Sequence, residues 1–130
     1  MPEPVVLIVD DDPHDLKFAA DALTSGGYAV VTAPDGKTAY ASMRNSPPSV
    51  LVTEVLLPEM DGIELITALR RAHTSLPILA TSGRLRFGTL SLLELASHVG
   101  ASATLPKPFT ANELVEQVAS LLGREASAAD

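Results

Sequence analysis

Apolar runs and amphipathic segments alternate along the whole chain. The run Val5–Val9 is continuous and rich in β-branched residues, which is typical of a strand that is buried on both faces. A similar run ends at Glu54. Three further strands are predicted at Tyr28–Thr32, Leu76–Ser82 and Ala103–Leu105. Pro106, directly after the last of these, is compatible only with a strand at the edge of a sheet.

The segments between these strands have apolar residues at helical spacing and carry signals for helix ends. Asp12 is a predicted N-cap, Pro13 fits the first turn, and Asp15 is placed to complete a capping box. Thr110 and Glu113 predict a capping box for the last helix. The predicted apolar faces are Leu16, Ala19, Ala20 and Leu23; Ala39, Tyr40 and Met43; Ile63, Ile66 and Leu69; Leu92, Leu95, Ala96 and Val99; and Leu114, Val118, Leu121 and Leu122.

This alternation of strands and helices predicts right-handed βαβ crossovers and a parallel sheet. The 130 residues of the chain are enough for one buried core. We expect one domain over residues 1–123 and a frayed tail of small and polar residues over 124–130. A separate output domain is not expected within this length.

Composition narrows the classes of function. Hydrophobic residues make up 46% of the chain and aromatic residues 4%, so the predicted core consists of Val, Leu, Ile and Ala. The formal net charge of −7 opposes binding to nucleic acid, which needs clustered Lys and Arg. Without Cys there are no disulfides or thiolate metal sites. The N-terminus lacks a basic region, and its apolar run is too short for a signal peptide or a membrane span, which favours a cytoplasmic protein without membrane contact.

Two of the predicted strands end on acidic residues. Val5–Val9 runs into Asp10, Asp11 and Asp12, and another strand stops at Glu54. In an open α/β sheet the carboxyl ends of the strands form the edge where ligands bind. Single acids at strand ends are common and mostly solvated, and an acidic cluster can simply cap a helix. If these carboxylates converge, however, they need a cation, and their oxygen atoms suit Mg²⁺.

Several separated segments together resemble the receiver domain of two-component response regulators. They are V-D-D-D-P at 9–13, T-E-V-L-L-P-E-M-D-G at 53–62, P-I-L-A-T-S-G at 77–83, Gly100-Ala101, and L-P-K-P-F at 105–109. The resemblance covers nearly the whole chain. It implies a non-enzymatic signalling domain with a flavodoxin-like fold, in which helices cover both faces of a five-stranded parallel sheet of strand order 2-1-3-4-5.

The resemblance also assigns roles to residues at the acidic edge. Asp10 and Asp11 correspond to the acidic pair of the family, and Asp11 is the nearer ligand of Mg²⁺. Glu54 and the backbone carbonyl of Leu56 complete the implied metal site. We expect Mg²⁺ binding to be weak, because Lys107 competes for the same carboxylates.

Two further residues complete the implied pocket. Ser82 resembles the hydroxyl that hydrogen-bonds a phosphoryl oxygen, and Lys107 resembles the cation of the family pocket, with a cis peptide bond before Pro108. The alternatives are an ordinary Ser at a strand end and a solvated Lys. The prolines on both sides of Lys107 restrict its backbone and favour the functional interpretation.

The chain departs from the family pattern at three places. The phosphoacceptor of a receiver is Asp, whereas Glu54 stands at the aligned position. One extra methylene displaces the carboxylate by roughly 1 Å, enough to cost about a hundredfold in rate. The longer side chain also makes Glu54 a weak mimic of a phosphorylated acceptor. Thr104 occupies the position of the switch Tyr or Phe, and the segment Gly83–Val99 is longer and less polar than the usual spacing.

These observations favour a single-domain receiver that acts by protein–protein contact, with phosphorylation at Glu54 lost or impaired. The alternative is a phospho-accepting receiver that carries an Asp-to-Glu substitution. A remote alternative is a small Mg²⁺-dependent phosphatase, because Asp10-x-Asp12 follows a strand; the Thr which that class requires next is absent, since Pro13 and His14 follow.

Partners are implied by the same resemblance. A histidine kinase or phosphotransfer protein is expected upstream, and a regulator downstream. The face formed by the fourth helix, the last strand and the last helix is the expected partner or homodimer surface, because Leu85–Leu95 has more apolar residues than one buried stripe needs.

Overall fold

The computed structural model describes residues 3–73, 75–84, 86–87 and 90–123, with the backbone alone at Phe87. The strands are β1 Val5–Val9, β2 Ala29–Ala33, β3 Val50–Glu54, β4 Ile78–Ser82, β5 Arg86–Phe87, β6 Leu90–Ser91 and β7 Ala103–Pro106. The helices are α1 Pro13–Ser25, α2 Gly36–Asn45, α3 Gly62–Arg70, α4 Leu92–Val99 and α5 Ala111–Leu121.

Five strands form one parallel sheet in the order β2-β1-β3-β4-β7. The predicted order is therefore confirmed, and the last strand is numbered β7 because β5 and β6 intervene. In the register of the central strands Val9 pairs with Thr53, and Glu54 pairs with Thr81. This register brings the residues that follow β1, β3 and β4 to the same edge. β7 lies at the side of the sheet, as Pro106 requires.

Helices cover both faces of the sheet, as predicted. On one face α2, α3 and α4 bury a cluster centred on Met43, Leu65, Ile66 and Leu92. On the other face α1 and α5 pack together over Leu23, Leu114 and Val118, which are all buried. The strands between them are apolar on both sides: β3 and β4 are buried at every position. This continuous burial explains their unbroken apolar sequence.

Local signals place most helix starts. Asp12 caps α1 by accepting the backbone N–H groups of His14 and Asp15, and Thr110 forms a reciprocal capping box with Glu113 at α5. The capping box predicted for α1 is wrong in its second half. The backbone N–H of Asp12 donates to Asp10 Oδ1 instead (3.0 Å), which leaves the Asp15 carboxylate available for another partner.

Other predictions need correction in detail. β2 begins at Ala29 rather than Tyr28, and β4 begins at Ile78 rather than Leu76. The antiparallel pair β5-β6 was not predicted, because strands of two residues are too short to show a period in the sequence. Residues 85, 88 and 89 of the apolar Leu85–Leu95 stretch, and the predicted tail 124–130, lie outside the described residues.

At the end of the sheet opposite the acidic edge, Arg70 joins three chain segments. Its guanidinium donates to the carbonyl oxygen of Gly100 (2.9 Å), the carbonyl oxygen of His73 (2.8 Å) and Ser102 Oγ (3.3 Å). Ser102 Oγ in turn accepts the N–H of Ile78, the first residue of β4 (3.0 Å). We call Arg70, its three partners and Ile78 the Arg70 cluster. It fixes the loop before β7 to the end of α3 and the start of β4.

Candidate functional site

The acidic edge of the sheet is organised around the ammonium group of Lys107. Its Nζ lies 2.7 Å from Asp10 Oδ2, 2.7 Å from Glu54 Oε1 and 2.9 Å from Asp15 Oδ2. The side chains of Asp10 and Glu54 are 8% exposed and that of Lys107 is 16% exposed, whereas that of Asp15 is 42% exposed. We call these four residues the Lys107 cluster. It contains two carboxylates that are nearly inaccessible to water and one at the surface.

The fold brings the members of this cluster together from distant parts of the sequence. Asp10 directly follows β1 and Glu54 is the last residue of the neighbouring β3. Lys107 directly follows β7, and its backbone N–H donates to the carbonyl oxygen of Ser82 at the end of β4 (2.9 Å). The expected cis peptide bond between Lys107 and Pro108 is present. Each of these positions is thus fixed by the sheet or by its immediate continuation.

Backbone groups hold the two buried carboxylates in place. Asp10 Oδ1 accepts the N–H of Asp12 (3.0 Å), while its Oδ2 contacts Lys107. Glu54 Oε2 accepts the N–H groups of Val55 (3.0 Å) and Leu56 (3.1 Å), while its Oε1 contacts Lys107. One oxygen of each carboxylate is therefore bound to the backbone and the other to the ammonium. Such charge-assisted hydrogen bonds are stronger than neutral ones.

The electrostatic balance of the cluster favours a charged lysine. Burial by itself lowers the pKa of Lys107, but the hydrogen bonds to Asp10, Glu54 and Asp15 and the negative charge of Glu54 outweigh it and raise that pKa. The ammonium is therefore protonated at neutral pH. The cluster thus contains three acidic groups and one basic group.

The predicted phosphoryl-contact residue has local partners. Ser82 is fully buried; its hydroxyl donates to the carbonyl oxygen of Arg84 (2.6 Å) and accepts the N–H of Arg84 (3.1 Å). The hydroxyl thus closes a tight turn after β4. To bind a phosphoryl oxygen, Ser82 has to give up its bond to the Arg84 carbonyl.

The remaining predicted site residues lie around the cluster. Asp11 is exposed beside Asp10. Leu56 is 38% exposed, and its N–H binds Glu54; the role of its carbonyl as a metal ligand stays a prediction. Thr104 lies in β7 and lines a shallow groove against α4, together with Leu93, Glu94, Ser97 and His98. Thr104 is therefore on the predicted partner face and not in the Lys107 cluster.

Receiver domains generally bind Mg²⁺ at the acidic edge, and the oxygen donors of this chain have the right chemistry for that ion. In this structure, however, Asp10 and Glu54 are bound to Lys107, so a divalent ion has to compete with the lysine for them. Both oxygens of Asp10 and both oxygens of Glu54 have partners, and Lys107 occupies the point on which they converge. Within the described ranges no group of three His, Cys, Asp or Glu side chains is arranged to hold a metal ion.

A cavity of about 440 Å³ reaches the cluster from the α1 side. Its walls include Phe18 of α1 and Phe109 after β7, whose ring centroids are 6.1 Å apart. Asp10, Asp15 and Lys107 also line it. The cavity therefore connects the ammonium group with the protein surface between α1 and the start of α5.

Two features of the site were not found in the sequence. Asp15 was read as a helix-capping residue, and nothing local indicates that it contacts Lys107. Asp61-Gly62 was read as the start of a helix, as the structure has it, but a Cβ at Gly62 would also overlap the carbonyl oxygen of Glu54 and approach Val55 Cα to 2.8 Å. Only Gly lets α3 begin this close to the end of β3. The sequence indicated the helix start at this pair, and the close approach of the two backbones became evident only in the fold.

In the part of the chain that the structure covers, no helix combines the length and the apolar character needed to cross a membrane.

Comparison with known sequences gives a consistent family assignment. The chain matches the response regulator receiver domain over residues 6–119. It is 35% identical over 126 residues to the transcriptional regulatory protein PrrA of Mycobacterium tuberculosis, which covers 97% of this chain and 53% of PrrA. It is 34% identical over 119 residues to the response regulator MprA of Mycobacterium avium, which covers 92% of this chain and 51% of MprA. The chain thus spans about half the length of these curated relatives.

Solved structures agree with this assignment. The chemotaxis response regulator CheY4 of Vibrio cholerae superposes with a TM-score of 0.83 at 28% identity, covering 93% of this chain and 100% of CheY4. The receiver domain of NtrX from Brucella abortus superposes with a TM-score of 0.84 at 27% identity, covering 91% of this chain and 98% of that domain. With the fold, the acidic edge and the sequence match in agreement, the chain belongs to the family of receiver domains of two-component response regulators.

Proposed function

We propose that this receiver domain signals by protein–protein contact and that phosphorylation at its acceptor position is lost or impaired. The observation that carries the proposal is the state of Glu54. The residue at the acceptor position is one methylene longer than Asp, and its two oxygens are bound to Lys107 and to the N–H groups of Val55 and Leu56.

These contacts bear directly on nucleophilic attack. To reach a phosphorus atom in line, a carboxylate oxygen needs a free lone pair that points out of the pocket. The longer side chain of Glu54 folds back so that Oε2 meets the amides of the next two residues. An oxygen held in this way is displaced from the position that a shorter Asp would give it. We therefore favour impaired phosphorylation over the alternative of a working receiver with Glu as its acceptor.

A weak Mg²⁺ site is part of the proposal. Asp11, Glu54 and the carbonyl of Leu56 are the proposed ligands, and Asp10 is the other member of the acidic pair. Any Mg²⁺ at this place has to draw Glu54 away from Lys107, which lies 2.7 Å from Glu54 Oε1. This competition supports a dissociation constant well above that of a site without the lysine. Calorimetry that detects no binding at millimolar Mg²⁺ would exclude the site.

The proposed partners are a histidine kinase or phosphotransfer protein upstream and a regulatory protein downstream, in the cytoplasm. We assign the partner or homodimer surface to the face of α4, β7 and α5. The exposed side chain of Leu90 (46%) before α4 and the groove lined by Leu93, Glu94 and Thr104 support this assignment. Charge substitutions at Leu90 are expected to weaken partner binding, whereas one at Val31, which is 44% exposed on β2, is not.

Phosphorylation of the chain and of Glu54→Asp with a small-molecule phosphodonor and Mg²⁺ tests the proposal. The chain as it stands is expected to give little or no acyl phosphate, at least about a hundredfold less than Glu54→Asp. The product of Glu54→Asp should be acid-stable and base-labile, and this variant should also bind beryllofluoride. Mass spectrometry of the intact protein measures the modification.

Glu116→Asp, which shortens an exposed acid on α5, is the matched control and should behave like the parent. Efficient phosphorylation of the parent chain would establish the alternative, a working receiver with a Glu acceptor. A folded but inert Glu54→Asp variant would show that more than the acceptor has changed.

A further inference from the structure

Asp15 makes a contact that its helix position does not require. It is the third residue of α1, and its backbone N–H is already capped by Asp12 Oδ1 (3.2 Å). Its carboxylate turns away from the helix end and lies 2.9 Å from Lys107 Nζ, a residue 92 positions later in the chain. The side chain thus connects the first turn of α1 with the segment that follows β7.

With Asp15 included, the ammonium group has a complete set of acceptors. A lysine ammonium carries three N–H donors. Asp10, Asp15 and Glu54 supply three carboxylate oxygens, at 2.7, 2.9 and 2.7 Å. The three oxygens come from the loop after β1, from α1 and from β3, so they approach the nitrogen from separate elements. Without Asp15, one donor of Lys107 would have to bind water from the adjoining cavity.

We infer that Asp15 is a positioning residue for Lys107, and that the ammonium held by the three carboxylates is the resident cation of the acidic edge. In this arrangement the pocket neutralises much of its own charge without a divalent ion. The inference concerns the pocket of the proposed function and extends it by naming what controls access of a cation. It does not depend on whether Glu54 or its Asp variant is phosphorylated.

Removal of the ammonium provides the test. In Lys107→Met three carboxylates that now share one cation are left facing the same point, and they should accept a divalent ion in its place. Mn²⁺ is the probe, because its free form is counted directly by electron paramagnetic resonance. The Mn²⁺ affinity of Lys107→Met is expected to exceed that of the unmodified chain by about tenfold or more.

The chain offers matched controls on α1. Lys17 and Asp21 form an exposed pair at 2.8 Å, with side chains 77% and 67% exposed. Lys17→Met changes the charge as Lys107→Met does, and its Mn²⁺ affinity should stay within about twofold of the unmodified chain, since exposed charges are screened. In the Lys107→Met background, Asp15→Ala should reverse most of the gain in affinity. Asp21→Ala in the same background should not.

Each outcome decides the inference. Equal Mn²⁺ affinity of the unmodified chain and Lys107→Met would show that the lysine does not occupy the cation position, and would overturn it. Equal effects of Asp15→Ala and Asp21→Ala would remove Asp15 from the cluster and reduce its role to helix capping. If Lys107→Met unfolds in EDTA, recovery of its circular dichroism on addition of Mn²⁺ supports the inference, and failure of Mn²⁺ to restore it contradicts the inference.

The Mn²⁺ experiment and the phosphorylation experiment test the inference and the proposed function independently. All the Mn²⁺ variants keep Glu54, and none of the Mn²⁺ measurements involves a phosphodonor. A chain that is phosphorylated efficiently can therefore still show the tenfold gain, and an inert chain can fail to show it.

Discussion

Two cationic side chains, at opposite ends of the sheet, hold the fold together in different ways. Lys107 binds three carboxylates, whereas Arg70 binds two backbone carbonyl oxygens and one hydroxyl. The partners of Lys107 are three carboxylates, which repel one another. Those of Arg70 are neutral, and each lies in a loop or at a strand end that needs a donor.

Because of this difference, removal of each cation is expected to have a different consequence. Removing Arg70 leaves carbonyl groups that water can satisfy. Removing Lys107 leaves two buried carboxylates without a counter-charge, and such groups either take up a proton or bind another cation. A site that can exchange its cation can respond to a ligand, while a set of loop hydrogen bonds only closes the structure.

The largest expected effect comes from removing each cation in turn. Lys107→Met should lower the free energy of unfolding by about 3 kcal/mol, because it breaks buried ion pairs from one side. Arg70→Met should cost about 1–2 kcal/mol, since its partners are neutral and can be rehydrated. Urea denaturation at pH 7 without divalent ions measures both. In addition, Glu54→Gln should recover part of the loss in Lys107→Met and none in Arg70→Met; equal recovery in both would remove the distinction.

Replacing a glycine at each end of the sheet is expected to give the next largest loss of stability. A Cβ at Gly62 would overlap the backbone at Glu54 and Val55, whereas a Cβ at Gly100 would meet the flexible side chain of Arg70, with Cγ at 2.7 Å. Gly62→Ala should therefore cost about 2–3 kcal/mol, since a backbone shift is needed. Gly100→Ala should cost about 1–2 kcal/mol, chiefly because Gly100 has φ +130°. Thermal unfolding compares them, and a larger loss for Gly100→Ala would contradict this ranking.

The response to alkaline pH sharpens the comparison further. The pKa of Lys107 is raised by Asp10, Glu54 and Asp15, so its contribution to stability is fully present below the unfolded-state pKa of about 10.4. That contribution is lost as the pH rises through the higher pKa of the folded state. Burial lowers the pKa of Arg70, but the ordinary pKa of a guanidinium lies well above this range. Between about pH 10 and pH 11 the unmodified chain and Arg70→Met should lose stability in parallel, and Lys107→Met should lose less. Denaturation at a series of pH values measures the three free energies of unfolding. Parallel curves for the unmodified chain, Arg70→Met and Lys107→Met would contradict this prediction.

The smallest effect is expected at the exposed pair of Lys17 and Asp21, which also consists of an ammonium and a carboxylate at 2.8 Å. Lys17→Met should change the free energy of unfolding by less than about 0.5 kcal/mol, because water and salt screen both groups. Urea denaturation at low and high salt measures the change. A loss as large as that of Lys107→Met would show that short distance, and not burial with several partners, sets the energy of these pairs.

Much of the fold could be predicted because its signals are local. Val5–Val9 was placed as a strand by its own apolar run, and the helix starts at Asp12 and Thr110 by residues within one turn. The strand order of the sheet was predicted from the resemblance to receiver domains. The periodicity of the sequence shows where strands lie but not which strands are neighbours. The pair β5-β6 was missed because two residues are too short to show a period, and nothing in the sequence around Arg70 indicates its contacts with Gly100 and Ser102.

The sequence by itself determined which residues form strands and helices, and which acids stand at strand ends, since each of these depends on a few neighbouring positions. Tertiary structure alone decided how the charges are paired. Asp15 and Lys107 are 92 positions apart, and their contact depends on the packing of α1 against α5, which follows β7 in the chain, not on either local pattern. Electrostatic and hydrogen-bond energies act over a few ångströms in space. A pocket assembled from four segments therefore acquires its partners only when the sheet has brought those segments together.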